Sequence, residues 1–250
     1  MNSKGLAVIV LAAGKGTRMK SPIAKVLHPI KKQPILYYVL ESLVPLNPDL
    51  SILVVGFQSE LVKESFSDRG LIFVEQKEQL GTGHAAQQAK LALHDFSGNV
   101  LVVCGDMPLI KSQTLVDLVE KHREKKSACT VLTLKSSEKK DFGLVIRDEQ
   151  GLVSKIVEHK DASEDQKKVD EFNSGVYCFD KCLFSKVLDE VNNNNVQKEY
   201  YLTDTIGYMV SNGFLVESLQ TTDNTQLLGV NTLEDLYLAE KILMGETRSS

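Results

Sequence analysis

The sequence predicts an α/β fold in which helices flank a mostly parallel mixed sheet that carries an antiparallel hairpin insertion. Three observations lead to this prediction. Apolar runs of strand length recur through the first half of the chain, segments with helical periodicity lie between them, and short strands separated by polar turns dominate after about residue 135. Continuous apolar runs are typical of strands buried on both faces, as in a parallel sheet between helices.

The first half of the chain supplies the parallel sheet. Apolar runs predict strands over residues 6–12, 51–57, 71–75, 100–104 and 128–134. Helical periodicity predicts helices over residues 35–43, 83–93 and 114–126. Strands that alternate with helices in this order form an open, Rossmann-like sheet with right-handed crossovers.

The second half of the chain predicts a different arrangement. Short strands are expected over residues 143–147, 152–158 and 173–179, with polar turns at 148–151 and 161–170. This spacing favours antiparallel hairpins added beside the sheet. Helices are expected over residues 184–191, 204–211 and 233–244, and Asn231 or Thr232 is a suitable N-cap for the last one.

Composition restricts the class of protein. The chain has 250 residues, of which 42% are hydrophobic and 25% charged, as in one soluble globular domain. No apolar run approaches the roughly 20 residues that span a bilayer, and the apolar run 6–13 leads into a Gly-rich basic turn, so we expect a cytoplasmic protein without a membrane partner. The four cysteines form no zinc-binding pattern, and we expect them to be free thiols.

Charge is distributed unevenly along the chain. The net charge at pH 7 is −4, yet residues 1–40 contain seven Lys or Arg and no Asp or Glu, so the remainder carries −11. A basic end on an acidic protein suggests an anionic ligand bound at one place. A nucleic-acid partner is not expected, because the basic stretch lacks interleaved aromatic residues and the whole protein is acidic.

The most specific local feature follows the first predicted strand, where residues 11–19 read Leu-Ala-Ala-Gly-Lys-Gly-Thr-Arg-Met. Gly14 and Gly16 let the backbone bend and approach a ligand, and successive N–H groups in such a turn bind phosphate oxygens. Arg18 and Lys25 add charge-assisted contacts. The segment is neither a Walker A loop nor a dinucleotide fingerprint, because neither glycine starts the former and Met19 replaces the third glycine of the latter.

Further motifs occur in an order that resembles one enzyme family. They are Lys-Val-Leu-His at 25–28, Glu-Gln-Leu-Gly-Thr-Gly-His-Ala at 78–85, Gly-Asp-Met-Pro-Leu at 105–109, Ile-Val-Glu-His-Lys-Asp-Ala at 156–162, Glu-Tyr-Tyr-Leu-Thr-Asp at 199–204 and Gly-Val-Asn at 229–231. With residues 11–19, the set resembles the uridylyltransferase domain of bacterial bifunctional N-acetylglucosamine-1-phosphate uridyltransferase, in the superfamily that activates sugar phosphates. The match spans nearly the whole chain, and its specificity comes from the set of motifs.

The resemblance implies an activity and its site residues. The activity is Mg²⁺-dependent transfer of UMP from UTP to N-acetylglucosamine 1-phosphate, with UDP-N-acetylglucosamine and pyrophosphate as products. The implied catalytic cations are Arg18 and Lys25, and the implied Mg²⁺ ligands are Asp106 and Asn231. The implied substrate-binding residues are Leu11, Ala12, Ala13 and Gly14 for uracil and phosphates, Gln76, Gly81 and Thr82 for uracil, Gly143, Glu158 and Asn173 for the amino sugar, and also Lys25, Gly105, Asp106 and Asn231.

The same resemblance implies a domain organisation. Residues 1–245 are expected to form one nucleotidyltransferase domain, with a nucleotide-binding half at about 1–135, a sugar-binding half at 136–230 that contains the hairpin insertion, and a C-terminal helix at 231–245. Residues 246–250 are expected to be a disordered tail. The family's bifunctional members continue into an acetyltransferase domain of hexapeptide repeats, which this sequence lacks. We therefore expect no acetylation of glucosamine 1-phosphate, and a monomer or weak dimer.

Two departures from the family pattern leave alternatives open. Residues 142–145 read Phe-Gly-Leu-Val where the family often has Tyr-Gly-Arg-Ile, and residues 21–24 differ from its acidic-apolar-Pro pattern. One alternative is a nucleotidyltransferase for glucose or mannose 1-phosphate, or for another nucleotide. Another is an inactive nucleotide-sugar sensor. Purely structural roles also stay open for Asp106 as a turn residue and Asn231 as a helix cap, and are expected for His84 and His159.

Overall fold

The computed structural model describes residues 5–137 and 142–245, so the predicted disordered tail at 246–250 lies outside the described residues. In chain order the strands are β1 (Gly5–Ala12), β2 (Pro29–Ile30), β3 (Gln33–Pro34), β4 (Leu50–Val55), β5 (Ile72–Glu75), β6 (Gly98–Cys104), β7 (Cys129–Lys135), β8 (Leu144–Arg147), β9 (Val153–Val157), β10 (Glu171–Asp180) and β11 (Val216–Thr221). The α-helices are α1 (Ile35–Leu43), α2 (Ser59–Ser65), α3 (Thr82–Gln88), α4 (Ser112–Lys125), α5 (Lys181–Val187), α6 (Asp204–Ser211) and α7 (Leu233–Leu243).

One mixed sheet runs through the molecule. Its main path has the order β11-β7-β10-β6-β1-β4-β5, and the antiparallel hairpin β8–β9 joins it through β10. β1 is parallel to β4 and β6, β4 to β5, and β11 to β7, whereas β10 is antiparallel to both of its neighbours on this path. The predicted mostly parallel mixed sheet with an antiparallel addition is therefore confirmed.

The position of β10 differs from the prediction. The sequence pattern placed residues 173–179 among hairpins beside the sheet, but β10 lies in the middle of the sheet, between β6 and β7. The physical reason is that Val176, Tyr177, Cys178 and Phe179 each expose 2% or less. A stretch that is apolar on both faces needs cover from both sides, which only a central strand receives.

Several element boundaries also differ. The short elements α2, β2, β3 and β11 were not predicted, because none contains a long apolar run. The predicted helix 83–93 ends at Gln88, since the N–H groups of Ala89 and Lys90 donate to carbonyls three residues back and tighten the chain into turns. α5 begins earlier than predicted, because the Asp180 side chain accepts hydrogen bonds at its N-terminus.

Helices cover both faces of the sheet. Along β1, Val8 and Val10 pack in a core with α1, α2 and α4, whereas Ala7 and Ile9 pack in a second core with α3, α5 and α6. This alternation follows from the two-residue period of a strand. In the described ranges, no helix has both the length and the apolar character needed to cross a membrane.

A third apolar cluster attaches α7 to the segment after β1. Met19, Ile30 and Ile35 pack there with Val230 and with Ala239 of α7. The helix starts with a capping box in which Thr232 and Asp235 satisfy each other's backbone N–H groups. The residue just before this cap, 231, is thereby brought close to the chain segment that follows β1.

Candidate active site

The carboxyl ends of three parallel strands open into one cavity. Residues 11–14 comprise the last two residues of β1 and the two that follow it, Gln76 directly follows β5, and Asp106 lies two residues beyond β6. This edge of an open parallel sheet is where such folds bind ligands. The first cavity has a volume of about 270 Å³ and is lined by Leu11, Ala12, Ala13, Gly14, Lys25, Val26, Gln76, Gln79, Gly81, Thr82, Ala85, Cys104, Asp106 and Glu199.

A second cavity, of about 200 Å³, adjoins the first, and the two share three wall residues, Leu11, Thr82 and Cys104. Its walls are Leu11, Thr82, Cys104, Phe142, Gly143, Glu158, Asn173, Ser174, Gly175, Tyr177, Leu202 and Thr203. The expected nucleotide-contacting residues thus line the first cavity, and the expected sugar-contacting residues Gly143, Glu158 and Asn173 line the second. Arg18, Gly105 and Asn231 are not among the wall residues of either cavity.

Hydrogen bonds connect the start of α3 to residues 200–202, beside the wall that the two cavities share. Gly83 N donates to Tyr200 O at 2.7 Å, and Leu202 N donates to Thr82 Oγ1 at 3.1 Å. Gly81 has a φ of 111°, and a Cβ at this position would lie 2.6 Å from Tyr200 O. Only glycine permits this conformation and this close approach of two backbones.

Gln76 has a fixed orientation in the wall of the first cavity. Its Nε2 lies 3.0 Å from Gly81 O and 3.0 Å from His84 Nδ1. Because Gly81 O can only accept, the side-chain nitrogen of Gln76 must face it, and His84 Nδ1 accepts as well. Among the described residues, no protein group donates to Gln76 Oε1, which leaves that oxygen able to accept from a ligand N–H.

Four polar side chains from distant parts of the chain form a cluster beside the first cavity. Lys25 Nζ makes an ion pair with Asp106 Oδ2 and donates to Asn231 Oδ1 at 3.0 Å. Arg18 Nη2 donates to the same Asn231 Oδ1 at 2.9 Å. Asn231 Nδ2 donates to Gly229 O at 3.1 Å, which turns its Oδ1 towards the two cations. Two cationic side chains and two oxygen acceptors therefore meet in one polar cluster.

The side chain of Gln58 holds the segment that leads to Lys25. Ala24 N donates to Gln58 Oε1 at 2.7 Å, and Gln58 Nε2 donates to Pro22 O at 2.9 Å. Gln58 has a φ of 54°, in the left-handed region that residues other than glycine adopt rarely. Its amide therefore holds the backbone just before Lys25 through two hydrogen bonds, and no sequence motif indicated this role.

In the second cavity, Glu158 is a carboxylate in a desolvated position. Burial raises its pKa, the hydrogen bond from Thr203 opposes this rise, and the charges of Asp204 and Asp161 raise it further. The Thr203 bond joins its Oγ1 to Glu158 Oε1 at 2.9 Å. A carboxyl whose pKa is raised becomes protonated at a higher pH than an ordinary glutamate, and it accepts hydrogen bonds from a ligand best when it is ionised.

Asn173 lies at an irregularity of β10. The pairing register with β7 shifts between Asn173 and Tyr177. Asn173 Nδ2 donates to Tyr177 Oη at 2.7 Å, and its Oδ1 accepts from Gly175 N at 3.1 Å. The bulge and these two bonds orient the Asn173 side chain at the second cavity.

Sequence reasoning missed several wall residues. Gln79, Glu199 and Thr203 lie within motifs that supported the resemblance, so a signal was present for them, but Tyr177 had none. Cys104 was expected only as a free thiol; it is half-buried in the wall of both cavities, where burial raises its pKa to about 12. Gly105 lies behind the wall, where its N–H donates to Leu11 O at 2.9 Å.

Comparison with known proteins identifies a matching family and similar sequences. A family model described as nucleotidyl transferase matches residues 7–237. The bifunctional protein GlmU of Listeria monocytogenes serotype 4a (strain HCC23) is 43% identical over 235 residues, which are 94% of this chain and 51% of that relative. GlmU of Desulfotalea psychrophila is 40% identical over 238 residues, 95% of this chain and 70% of that relative.

A solved structure described as UDP-glucose pyrophosphorylase complexed with UDP-glucose has the same fold, with a TM-score of 0.75 at 17% identity over 98% of this chain and 100% of that chain. The chain spans about half the length of the Listeria relative. Because the family model covers most of the chain and the Desulfotalea relative is itself largely covered, this protein belongs to the nucleotidyl transferase family.

Proposed function

We propose that this chain catalyses the Mg²⁺-dependent transfer of UMP from UTP to N-acetylglucosamine 1-phosphate, releasing UDP-N-acetylglucosamine and pyrophosphate. The observation that carries the proposal is the pair of adjoining cavities with a cationic cluster beside the first. One cavity takes the nucleotide and the other the sugar, so that the reacting phosphates meet near the shared wall. The similarity to GlmU proteins supports the named substrates.

The first cavity suits a uridine nucleotide. The Oε1 atom of Gln76 accepts hydrogen bonds, and the N3–H of uracil is a donor, whereas N3 of cytosine is an acceptor. The Gly-containing backbone of residues 11–14 allows close approach of the nucleotide, and Lys25 lies within reach of its phosphates. Gln76 therefore favours UTP over CTP.

The second cavity suits an uncharged, hydroxyl-rich ring. Glu158 accepts from sugar hydroxyl or amide N–H groups, and Asn173 offers a further polar contact. Gly143 packs closely against its neighbours, and a larger residue does not fit there, because a Cβ at that position would lie 2.9 Å from Ile156 Cγ2 and 3.5 Å from Glu158 Oε1. We assign the sugar of the second substrate to this cavity.

The chemistry requires charge neutralisation more than proton transfer. A phosphate oxygen of the sugar phosphate attacks the α-phosphorus of UTP, the new P–O bond forms, and the bond to pyrophosphate breaks. The attacking phosphate is already ionised at pH 7, so no general base is needed. Lys25 and Arg18 offset the repulsion between the two polyanions and stabilise the charge that develops on the leaving pyrophosphate.

The donor set beside the first cavity fits Mg²⁺. The carboxylate of Asp106 and the amide oxygen of Asn231 already converge on one cation, the ammonium group of Lys25. Among the described residues, no group of three or more His, Cys, Asp or Glu side chains could hold a metal. Asp106 and Asn231 would supply two oxygens, a common arrangement for Mg²⁺, which fills its octahedron with phosphates and water. When bound, the ion neutralises negative charge on the nucleotide phosphates.

Pyrophosphate release tests this function. The purified chain is incubated with Mg²⁺ and N-acetylglucosamine 1-phosphate, and UTP, CTP, GTP, ATP and dTTP are added in separate reactions, with an EDTA control and parallel reactions containing glucose or mannose 1-phosphate. EDTA-sensitive release that is greatest with UTP and the acetylated sugar supports the proposal. Greater release with another pair would change the assigned substrates but keep the reaction class. Binding of nucleotide without pyrophosphate release from any pair would favour a nucleotide-sugar sensor.

We further propose that residues 1–245 act as one cytoplasmic domain, which is a monomer or weak dimer without nucleic-acid or membrane partners. The basic charge of residues 1–40 supports the choice of small anionic substrates as partners. Sedimentation velocity over a wide concentration range tests the oligomeric state. A tight trimer or larger assembly would contradict it.

A further inference from the structure

The Lys25 ammonium occupies the point on which the two expected metal ligands converge. Its Nζ contacts Asp106 Oδ2 and, at 3.0 Å, Asn231 Oδ1. These are the same two oxygens that the proposed function assigns to Mg²⁺. An ammonium at this point engages both oxygens and repels a second cation, so it competes with a divalent ion for them.

The arrangement is built into the fold rather than made by a freely moving surface lysine. The side chains of Lys25 and Asp106 are only 13% and 19% exposed, so solvent screens their attraction weakly. The stem of Lys25 lies against Gly16, where a Cβ would approach Lys25 Cβ to 2.6 Å. The Gln58 amide holds the backbone immediately before Lys25.

We propose that Lys25 is an internal counter-ion that blocks metal binding until nucleotide arrives. This inference rests on the proposed function, because it takes Asp106 and Asn231 as the metal ligands. Without nucleotide, a metal ion that displaces the ammonium would leave Lys25 as an unpaired, mostly buried charge, which is unfavourable. Nucleotide phosphates give Lys25 a new anionic partner and bring additional oxygens to the metal, so metal and nucleotide bind together.

Metal binding to the nucleotide-free protein tests the proposal directly. Mn²⁺ serves as a spectroscopic substitute for Mg²⁺, and free Mn²⁺ is measured by electron paramagnetic resonance. We expect the nucleotide-free wild type to bind Mn²⁺ weakly, and K25M to bind it about tenfold or more tightly, because Asp106 is then unpaired. K20M is the matched control, since it removes the same charge from an exposed lysine of the same segment, and it should leave Mn²⁺ affinity close to that of the wild type.

The double variant K25M/D106N shows whether the gain occurs at these oxygens, and it should abolish the gain. Adding UTP without sugar should increase Mn²⁺ affinity strongly in the wild type and much less in K25M, in each case relative to the Mn²⁺ that UTP binds without protein. If wild type and K25M bind Mn²⁺ equally without nucleotide, while UTP still promotes binding, the counter-ion role is overturned and the proposed function stands. If Mn²⁺ binds to none of the proteins even with UTP, the metal assignment itself fails.

A second measurement uses the unmodified side chain, in case K25M does not fold. Nitrogen-15 NMR of lysine ammonium groups in wild-type protein follows the Lys25 signal during titration. We expect no change with Mg²⁺ alone and a clear shift with Mg²⁺ and UTP together. A shift of the same size with Mg²⁺ alone would overturn the proposal.

Discussion

The two cavities are lined by different kinds of chemical group. The first is formed by glycine-containing backbone at the carboxyl ends of parallel strands, and by the cationic side chain of Lys25. The second is formed by side chains of the antiparallel β8–β10 region and of the segment before α6, and its described walls contain no Lys or Arg. The difference matches the ligands that we propose. A polyphosphate is bound by N–H groups and cations, whereas an uncharged sugar ring is bound by hydrogen-bond acceptors and donors.

The two cavities also differ in how their residues are distributed along the chain. Residues 11–14 are contiguous, so one segment at the end of β1 supplies four of the wall residues of the first cavity. The second cavity combines Gly143, Glu158, Asn173 and Thr203, which are brought together by strand pairing and by the contact between Thr203 and Glu158. Changes in one cavity should therefore affect one substrate, and changes at the polar cluster should affect the reaction itself.

The largest expected effect is at Asp106. A change there should not separate the two cavities, because the reaction of both substrates depends on the same polar cluster. D106A should lose about a thousandfold or more in activity, since it removes a proposed metal ligand and the partner of Lys25. Circular dichroism and thermal unfolding should show a folded protein. D117A, at an exposed acidic residue of α4, is the matched control and should keep full activity; an active D106A enzyme would contradict the metal assignment.

The second-largest effect is expected at Glu158 and should separate the cavities. E158Q keeps the shape but removes the charge, so the KM for the sugar phosphate should rise by about 10- to 100-fold, in line with roughly 1.5–3 kcal/mol for hydrogen bonds to charged groups. The KM for UTP should not change. Steady-state kinetics with each substrate varied in turn measures both, and an equal rise in both values would mean that Glu158 does not belong to a separate sugar site.

A smaller effect is expected from pH. Because burial raises the pKa of Glu158, lowering the pH protonates this carboxyl earlier than an ordinary glutamate, and the protonated form accepts hydrogen bonds less well. The KM for the sugar phosphate should therefore rise several-fold as pH falls through that pKa. E158Q should lack this rise in KM. The pH profile of E158Q also serves as a correction for ionisation of the sugar phosphate itself. Identical profiles for the two proteins would refute the assignment.

The smallest effect is expected at Gln58, which supports only the first cavity. Q58G removes the two hydrogen bonds to the backbone at residues 22 and 24 and relieves the left-handed conformation. We expect kcat/KM for UTP to fall by about fivefold, with the sugar KM unchanged and little loss of stability. K126G relieves a similar φ of 51° at the end of α4 and should leave kinetics unchanged; a loss of activity in both variants would point to a general backbone effect.

Much of the fold and part of the site could be predicted from local patterns. α1 and α6 have the predicted boundaries, and β1 begins only one residue earlier. The cavity walls at residues 11–14 follow from a Gly-containing turn at the end of a buried strand. These features can be predicted from the sequence because burial and backbone conformation at such positions depend mostly on residues nearby in the chain.

Other features could not be predicted from such patterns. The central position of β10 was missed, because an apolar strand shows that it is buried but not which strands it lies between. The role of Gln58 was missed as well, since a glutamine in a turn has no pattern that indicates a partner 34 residues away. Both depend on pairings between segments that lie far apart in the chain.

The sequence by itself determined the alternation of buried strands and helices, the Gly-containing turn after the first strand and the set of motifs that indicates the family. Only the tertiary structure decided that Lys25 meets Asp106 and Asn231, across separations of 81 and 206 residues. The physical reason is that periodicity and turn chemistry act over a few residues, whereas a polar cluster forms only where packing of the sheet and α7 brings distant segments within hydrogen-bonding distance.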